Sequence, residues 1–250
     1  MKKTNIKQRI LKQIKQVEKE KDVKVLFLIE SGSRAWRWES EDSDYDVRGV
    51  YVQDYLKVED PKEQIELIEG ELDIVLWGFK KFLRLMKKSN PSVWEWLSSD
   101  IIYIDSEIRK NLKFLFKENF NEYSLKQHYI SMARQNFEKY INNSKDKANL
   151  KKYVYVLRSV ACVLWIDKHK SPPPKDYREV VGFLPKHVQK FFNKIVKDKK
   201  KSEDLMGPRN KQVDKYISGF FSKKFPNQGS SFDEEEIDKI FKKYVWGSGR

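Results

Sequence analysis

A chain of 250 residues with 39% apolar residues can bury a core of its own, which excludes a disordered protein and a small disulfide framework. The single cysteine excludes an internal disulfide, and no run reaches the ~18 apolar residues of a membrane span, so we expect a cytoplasmic protein without a membrane partner. A net charge of +14 attracts polyanions, and nucleic acid is therefore an expected partner, although biased genome composition also enriches lysine.

The first part of the chain mixes helical and strand patterns. Apolar residues at helical spacing predict an amphipathic helix over residues 4–20. A short apolar run predicts a buried strand over residues 23–29, and two more strands are predicted over residues 46–52 and 72–77. The polar residues 39–43 are predicted to form a loop before the second strand.

After residue 79 the pattern becomes mostly helical. Asn90 followed by Pro91 predicts a helix start with an asparagine cap. The clearest helices are predicted over residues 124–141 and 150–167, and a run of three prolines ends the second of them. Cys162 lies in an apolar stretch of that helix and is predicted to be a small core residue.

The order of these elements predicts an α+β fold in two parts. A small mixed-sheet core is expected over residues 1–105, followed by a mostly helical C-terminal half over residues 106–250. One short apolar stretch, residues 101–104, could add a further strand. The small polar residues 229–231 are predicted to be a linker.

A Gly-Ser pair and three carboxylates stand at the ends of the predicted strands. Gly32 allows backbone N–H groups to approach a phosphate closely, and the hydroxyl of Ser33 adds a donor. Asp44 and Asp46 are two residues apart where a strand opens, so alternation aims both side chains at one point. Asp73 lies between apolar residues of the next predicted strand, where an unpaired buried acid would be unfavourable, so it belongs at a strand end or in a site.

This combination suits nucleotidyl transfer. Two Mg²⁺ ions, with Mn²⁺ as an alternative, need oxygen ligands and a shared site for the attacking and leaving oxygens. Asp44, Asp46 and Asp73 are the predicted metal ligands, and Asp73 is the one placed to take the proton of an acceptor hydroxyl. Each element alone is weak: an acidic loop can be solvated charge or a calcium-like loop, and Asp73 can be a loop cap. The ordered set is more specific.

Residues 28–52, which read LIESGSRAW and then SDYDVRG across the site, resemble the nucleotidyltransferases associated with RNA ligases in bacterial and phage RNA-repair operons, a branch of the polymerase-β superfamily. Two later segments resemble further motifs of that family, and the likeness covers roughly residues 25–180. These motifs lie at residues 89–92 with 95–97, and at residues 151–153, 157–158, 165–166 and 172–174.

The resemblance implies a polymerase-β-like nucleotidyltransferase core. It implies that Ser33 contacts the phosphates, that Asp44 and Asp46 bind metal, and that Asp73 is the catalytic carboxylate. It also implies a role beside the triphosphate for Lys151 and Arg158, whose alternative is a solvated helix face.

Other predicted nucleotide contacts follow from the residues themselves. Besides Gly32, Arg34 and Arg48 are predicted to contact phosphate, because arginine binds phosphate in a bidentate manner. Their alternative is an ion pair with a nearby acid. Trp36 and Trp38 could stack a base or simply pack. Arg37 departs from the family, whose members commonly carry glycine at this place.

The expected reaction is attack of an acceptor hydroxyl, on an RNA end, at the α-phosphate of a nucleoside triphosphate. One alternative is nucleotide transfer to a protein or a small molecule. Another is a basic RNA-binding module without catalysis.

Overall fold

The computed structural model describes residues 2–54, 62–144, 147–199, 205–227 and 232–246. The chain divides into two compact units. The sheet unit contains residues 1–35, 44–120 and 231–250, and the helical unit contains residues 36–43 and 121–230. The predicted boundary at residue 105 between a catalytic core and a helical domain stays a prediction. The predicted linker at residues 229–231 lies outside the described residues.

The elements follow one another in three groups. The first group is α1 (Lys2–Lys21), β1 (Val23–Glu30), α2 (Gly32–Ala35), β2 (Tyr45–Gln53), β3 (Gln64–Glu69), β4 (Leu72–Gly78), α3 (Phe79–Lys87), α4 (Pro91–Ser98), β5 (Ile102–Ile104) and α5 (Glu107–Asn119). The second group is α6 (Glu122–Phe137), a π-helical turn (Glu138–Asn142), β6 (Lys147–Asn149), α7 (Leu150–His169), α8 (Tyr177–Val181), α9 (Lys186–Lys199), β7 (Met206–Pro208) and α10 (Lys211–Phe221). The last helix is α11 (Glu234–Trp246).

Five strands form a mixed sheet in the order β3-β4-β2-β1-β5. Strands β2 and β4 are parallel, and the other pairs are antiparallel. Strand β3 was not predicted. It follows β2 in sequence but lies at the edge of the sheet, and the next strand, β4, pairs with both β3 and β2 and so lies between them. This confirms the predicted mixed sheet.

Helix α1 covers one face of the sheet. Its residues Ile6, Ile10, Ile14 and Val17 are buried against the sheet, as the helical spacing predicts. Alternation along β2 and β4 places Val47, Tyr51 and Ile74 on this face. The sheet residues of this core are Val23, Val25, Leu28, Val47, Tyr51, Ile65, Leu72, Ile74 and Leu76.

Helices α3 and α4 cover part of the opposite face. Phe82 of α3 packs edge-on against Phe27, with ring centroids 5.6 Å apart. Trp96 of α4 lies 3.9 Å from the ring of Trp77 near the end of β4. Asn90 caps α4 by accepting a hydrogen bond from the next helical N–H, which confirms the predicted helix start. Phe27 and Trp77 are both register partners of Val50 in β2, so these rings lie at the level of the later residues of β2 and β4. The beginnings of both strands are therefore left for polar side chains on this face.

The helical unit is built around α7. This helix is buried along most of its length and packs against α6, α8 and α9. Cys162 is fully buried in it, which confirms its prediction as a core residue. Lys170 ends the helix in a left-handed conformation just before the three prolines. Among the described residues, no helix is both long and apolar enough to cross a membrane.

Candidate active site

The turn after β1 approaches β2 very closely. The N–H of Ser31 donates to the carbonyl oxygen of Asp46 at 2.8 Å. Gly32 follows with a φ of +61°, and a Cβ on it would lie 1.9 Å from Oδ2 of Asp46. Only glycine fits here, because a side chain would be strained by the backbone and would collide with the carboxylate. Ser33, the next residue, is buried.

Two predicted carboxylates meet at the start of the parallel strand pair. Asp46 of β2 and Asp73 of β4 are direct partners in the register. Nη2 of Arg48 donates to Oδ1 of Asp46 at 2.9 Å and to Oδ2 of Asp73 at 2.8 Å. Because one nitrogen contacts both carboxylates, the two acids face a common point. Their side chains are 29% and 38% exposed, so a ligand can reach them.

Arg48 therefore forms the ion pair that was the alternative to phosphate binding. Its Nη1 also donates to the carbonyl oxygen of Asp73 at 2.6 Å, which fixes the guanidinium across both strands. A positive charge between two carboxylates offsets their mutual repulsion. Arg48 is thus part of the carboxylate cluster in this structure, and its contact with phosphate stays a prediction.

Asp44 is not gathered with the other two acids. It is exposed and precedes the first residue of β2, so the alternation expected to aim it beside Asp46 has not yet begun. Its carbonyl oxygen accepts a hydrogen bond from Nε of Arg34 at 3.2 Å. Within the described parts of the chain, no three acidic, histidine or cysteine side chains are grouped to hold a metal ion. Metal binding by Asp44 stays a prediction.

The chemistry of the gathered donors nevertheless suits a hard divalent cation. Asp46 and Asp73 offer carboxylate oxygens from adjacent strands at the same register, and Mg²⁺ is commonly bound by one or two carboxylates together with substrate phosphates. Asp44, two residues before Asp46, is near enough in sequence to add a ligand. The donor set fits the predicted ion, with Asp46 and Asp73 as its best-placed ligands.

Glu30 is a site residue that the sequence reasoning did not assign. It is 1% exposed; its Oε1 accepts from the N–H of Asp46 at 2.9 Å, and its other oxygen accepts from the hydroxyl of Tyr103. Burial raises the pKa of Glu30 to about 7, opposed by these two hydrogen bonds and reinforced by the charge of Asp46. The available signal was an acid at the end of an apolar strand run, which is related to the acid between apolar strand residues that pointed to Asp73.

Arg34 lies against the start of β2. Its guanidinium carbon stands 3.8 Å from the centre of the ring of Tyr45, a cation–π distance. With the contact to the Asp44 carbonyl, this holds the side chain beside the candidate metal ligands. Its phosphate contact stays a prediction.

The predicted residues of α7 belong to the helical unit. Lys151 is half-buried at the start of the helix. Arg158 is 4% exposed, and its guanidinium lies 4.3 Å from the ring of Trp36. The alternative that Arg158 lies on a solvated helix face is therefore wrong. The nucleotide contacts of Lys151 and Arg158 stay predictions. Trp38 is fully buried among other rings and packs, whereas Trp36 is half-buried.

Arg37 adopts the backbone conformation that glycine prefers. Its φ is +72°, in the left-handed region. Glycine would adopt this φ without strain, whereas arginine adopts it at the expense of strain.

A protein-family model described as the RNA repair pathway DNA polymerase beta family matches residues 6–243. The chain belongs to this family. It is also 40% identical over 207 residues to YcgL, an uncharacterized protein of Bacillus subtilis (strain 168). The match covers 80% of this chain and 79% of YcgL.

Among solved structures, this polymerase beta family chain is similar to a nucleotidyltransferase-like protein from Exiguobacterium sibiricum 255-15. The identity is 14%, and the match covers 79% of this chain and 66% of that chain. The chain thus spans just under two thirds of the solved protein's length. The TM-score of 0.28 is too low to carry an argument.

Membership in a polymerase beta-like nucleotidyltransferase family supports a nucleotidyltransferase-type function. The matched range includes Gly32, Asp46, Arg48 and Asp73, the residues that the sheet brings together.

Proposed function

We propose that the protein is a metal-dependent nucleotidyltransferase that moves a nucleoside monophosphate from a nucleoside triphosphate to a hydroxyl of an RNA end. The observation that carries the proposal is the pairing of Asp46 with Asp73 in register on parallel strands, beside a turn where Gly32 has room for no side chain. Family membership supports the type of reaction, and the net charge of +14 supports the polyanionic acceptor.

We assign to the turn after β1 the role of binding the triphosphate. Gly32 lets the backbone come close to an anion, and Ser33 adds a hydroxyl. Arg34, held over Tyr45 at the same end of the sheet, supplies a fixed positive charge. These groups would neutralise and orient the phosphates so that the leaving oxygens point away from the acceptor.

The carboxylates are assigned to the metal. Asp46 and Asp73, with Asp44 as a further candidate, would hold Mg²⁺, which when bound neutralises charge on the phosphates and polarises the acceptor oxygen. Glu30 holds the backbone of Asp46 through its N–H, and Arg48 ties Asp46 to Asp73. Both contacts keep the ligands in place.

We assign to Asp73 the role of accepting the proton of the acceptor hydroxyl. The acceptor hydroxyl oxygen forms a bond to the α-phosphorus, the bond from that phosphorus to the bridging oxygen breaks, and pyrophosphate leaves with the electron pair. The hydroxyl proton passes to the Asp73 carboxylate, whose side chain is 38% exposed and open to an acceptor.

We expect Asp73→Asn to lower the single-turnover rate by at least ~10²-fold, the low end for a positioned proton acceptor, with little change in nucleotide affinity. Asp46 and the Gly32 turn would still hold the nucleotide. Single-turnover kinetics and nucleotide titration measure the two effects. Glu66→Gln, an exposed acid on β3, is the matched control and should leave both unchanged. Near-normal turnover in Asp73→Asn would contradict the assignment.

The acceptor is tested by incubating the protein with each labelled triphosphate, Mg²⁺ and either total RNA or a protein lysate. Label in RNA supports the proposal. Label in protein would favour the protein-modifying alternative, and label in neither, with RNA binding retained, would favour a non-catalytic RNA-binding module.

A further inference from the structure

A groove runs between α3 and α11 within the sheet unit. Its volume is about 600 Å³, in the range of pockets that take a nucleotide-sized ligand. We name it the α3–α11 groove. Four of its lining residues are basic, Lys80, Arg84, Lys87 and Lys88, and one is acidic, Asp238.

The charge comes from one short helix. Residues 79–88 contain five basic residues and no acidic residue. Arg84 donates to both carboxylate oxygens of Glu63, so part of its charge is balanced by protein. Lys80 and Lys88 are exposed and sit near opposite ends of the helix. The basic wall of the groove therefore extends along the whole of α3.

The groove also has an apolar floor. Leu83 and Ile237 are buried, and Phe241, which stacks on Phe79 at 6.2 Å, is half-buried beside them. A polar wall against an apolar and aromatic floor matches a nucleotide unit, with a charged phosphate on one side and a flat base on the other.

The residues that line the groove are different from those of the carboxylate cluster. Asp73 is the second residue of β4, and α3 begins directly after its last, Gly78. Five residues of extended strand span roughly 16 Å. A ligand in the groove would therefore be a different part of the substrate from the reacting phosphate.

We propose that the α3–α11 groove binds a single-stranded segment of the RNA acceptor, with its phosphates on Lys80, Lys87 and Lys88 and a base against Phe241. We choose RNA as the occupant by charge complementarity, because the lining contains three lysines in addition to the Glu63-paired Arg84, against one acid, and such a lining fits a polyanion. The proposal rests on the proposed function in taking RNA as the acceptor.

The test measures equilibrium binding of a fluorescent single-stranded RNA of mixed sequence, without triphosphate or Mg²⁺. We compare Lys80→Gln/Lys88→Gln with Lys186→Gln/Lys190→Gln, a pair of exposed lysines on α9. Both double variants lose two charges. The groove pair should weaken binding roughly tenfold and the α9 pair less than about threefold.

A variant that binds RNA more tightly than the wild type cannot owe its effect to a damaged fold. Asp238→Asn removes the acid of the groove lining and should tighten RNA binding by about two- to threefold. Glu179→Gln, an exposed acid of the helical unit, is its control and should change nothing. Thermal unfolding of every variant checks that the fold is retained.

Equal losses in the two lysine pairs would overturn the proposal, because binding would then follow total charge. An Asp238→Asn protein that binds RNA no more tightly than Glu179→Gln would also overturn it. If the groove pair left RNA binding unchanged but abolished binding of a polyglutamate peptide, the groove would be a site for an acidic protein instead. Binding of RNA through the groove without nucleotide transfer by the wild type would reject the proposed function, and the groove would then be an RNA-binding site without an acceptor role.

Discussion

Gly32 and Gly70 share one backbone conformation but have very different surroundings. Their φ angles are +61° and +58°. A Cβ on Gly32 would collide with Asp46, whereas a Cβ on Gly70 would meet no atom within 4 Å. A comparison of alanine at the two positions therefore separates the effect of backbone strain from the effect of displacing the Asp46 carboxylate.

We expect Gly32→Ala to lower turnover by ~10²-fold or more, because a misplacement of about 1 Å in a site can have that effect. Gly70→Ala should retain turnover, although each variant loses roughly 1 kcal/mol of stability to the left-handed backbone. Turnover and urea unfolding of both proteins give the comparison. Equal turnover in the two variants would contradict a role for the close contact with Asp46.

Glu30 should make stability depend on pH. Its pKa is about 7 in the folded chain, against an ordinary value of 4.5, so the folded state binds more protons between these values. The contribution of Glu30 to stability is therefore highest below pH 4.5 and is lost as the pH rises through 7. Glu30→Gln removes this loss, because the amide is neutral; its oxygen can still accept from the N–H of Asp46, and its NH2 group can donate to the hydroxyl of Tyr103. This variant should be more stable than the wild type at pH 8 by about 1 to 3 kcal/mol.

Urea unfolding in metal-free buffer at pH 5 and pH 8 measures this difference. The advantage of the glutamine variant should nearly vanish at pH 5. Glu66→Gln, on the exposed edge strand, should show no such dependence. An advantage of the same size at both pH values would mean that Glu30 is not the titrating group.

How far the site could be predicted depends on which residues lie in regular strands. Asp46 and Asp73 were predictable because each lies inside a strand, and the structure brings them into register. Asp44 lies one residue before β2, where alternation no longer fixes direction. The contact of Glu30 with Asp46 depends on β1 pairing with β2, which spacing along the chain does not reveal.

At the scale of elements, the turn after α2 stores strain at Arg37. Its φ of +72° is unfavourable for any residue with a Cβ and most unfavourable for a β-branched one. Arg178, and more weakly Arg37, lower the pKa of Asp176, so the arginine also contributes an attractive charge. A comparison of two uncharged replacements isolates the backbone effect.

We expect Arg37→Gly to be more stable than Arg37→Val by roughly 1 to 2 kcal/mol. Both variants lose the same charge, so the charge cancels from their difference. That difference then reports the backbone preference at this φ, reduced by the greater freedom of glycine in the unfolded chain. Urea unfolding measures it, with the wild type as reference. A valine variant as stable as the glycine variant would show that this turn is not left-handed in solution.

The predicted elements succeeded where burial was strongest. The first helix and strands β1, β2 and β4 were predicted because their apolar spacing follows the buried face of the core. Strand β3 was missed because it is an edge strand with exposed residues, including Ile68 at 79% exposure. Without β3 the parallel pairing of β2 with β4 could not be derived, and that pairing is what joins Asp46 to Asp73.

For the molecule as a whole, the net charge of +14 is the property that separates the candidate acceptors. A basic protein that binds RNA releases counterions, whereas transfer to a protein side chain needs no such release. The α3–α11 groove is one local source of this charge, and the rest is spread over both units. Salt dependence therefore tests the acceptor class without knowledge of the RNA sequence.

We expect the logarithm of RNA affinity to fall with the logarithm of salt concentration with a slope of about −3 or steeper between 50 and 200 mM, as four or more phosphate contacts to a single strand would give. Lys80→Gln/Lys88→Gln should make the slope shallower by about 1.4, because each contact to a single strand contributes about 0.7. The same titration on Lys186→Gln/Lys190→Gln should reproduce the wild-type slope. A wild-type slope near zero would remove the electrostatic basis for an RNA acceptor. Nucleotide transfer to a protein would then be the better explanation of the same carboxylate site.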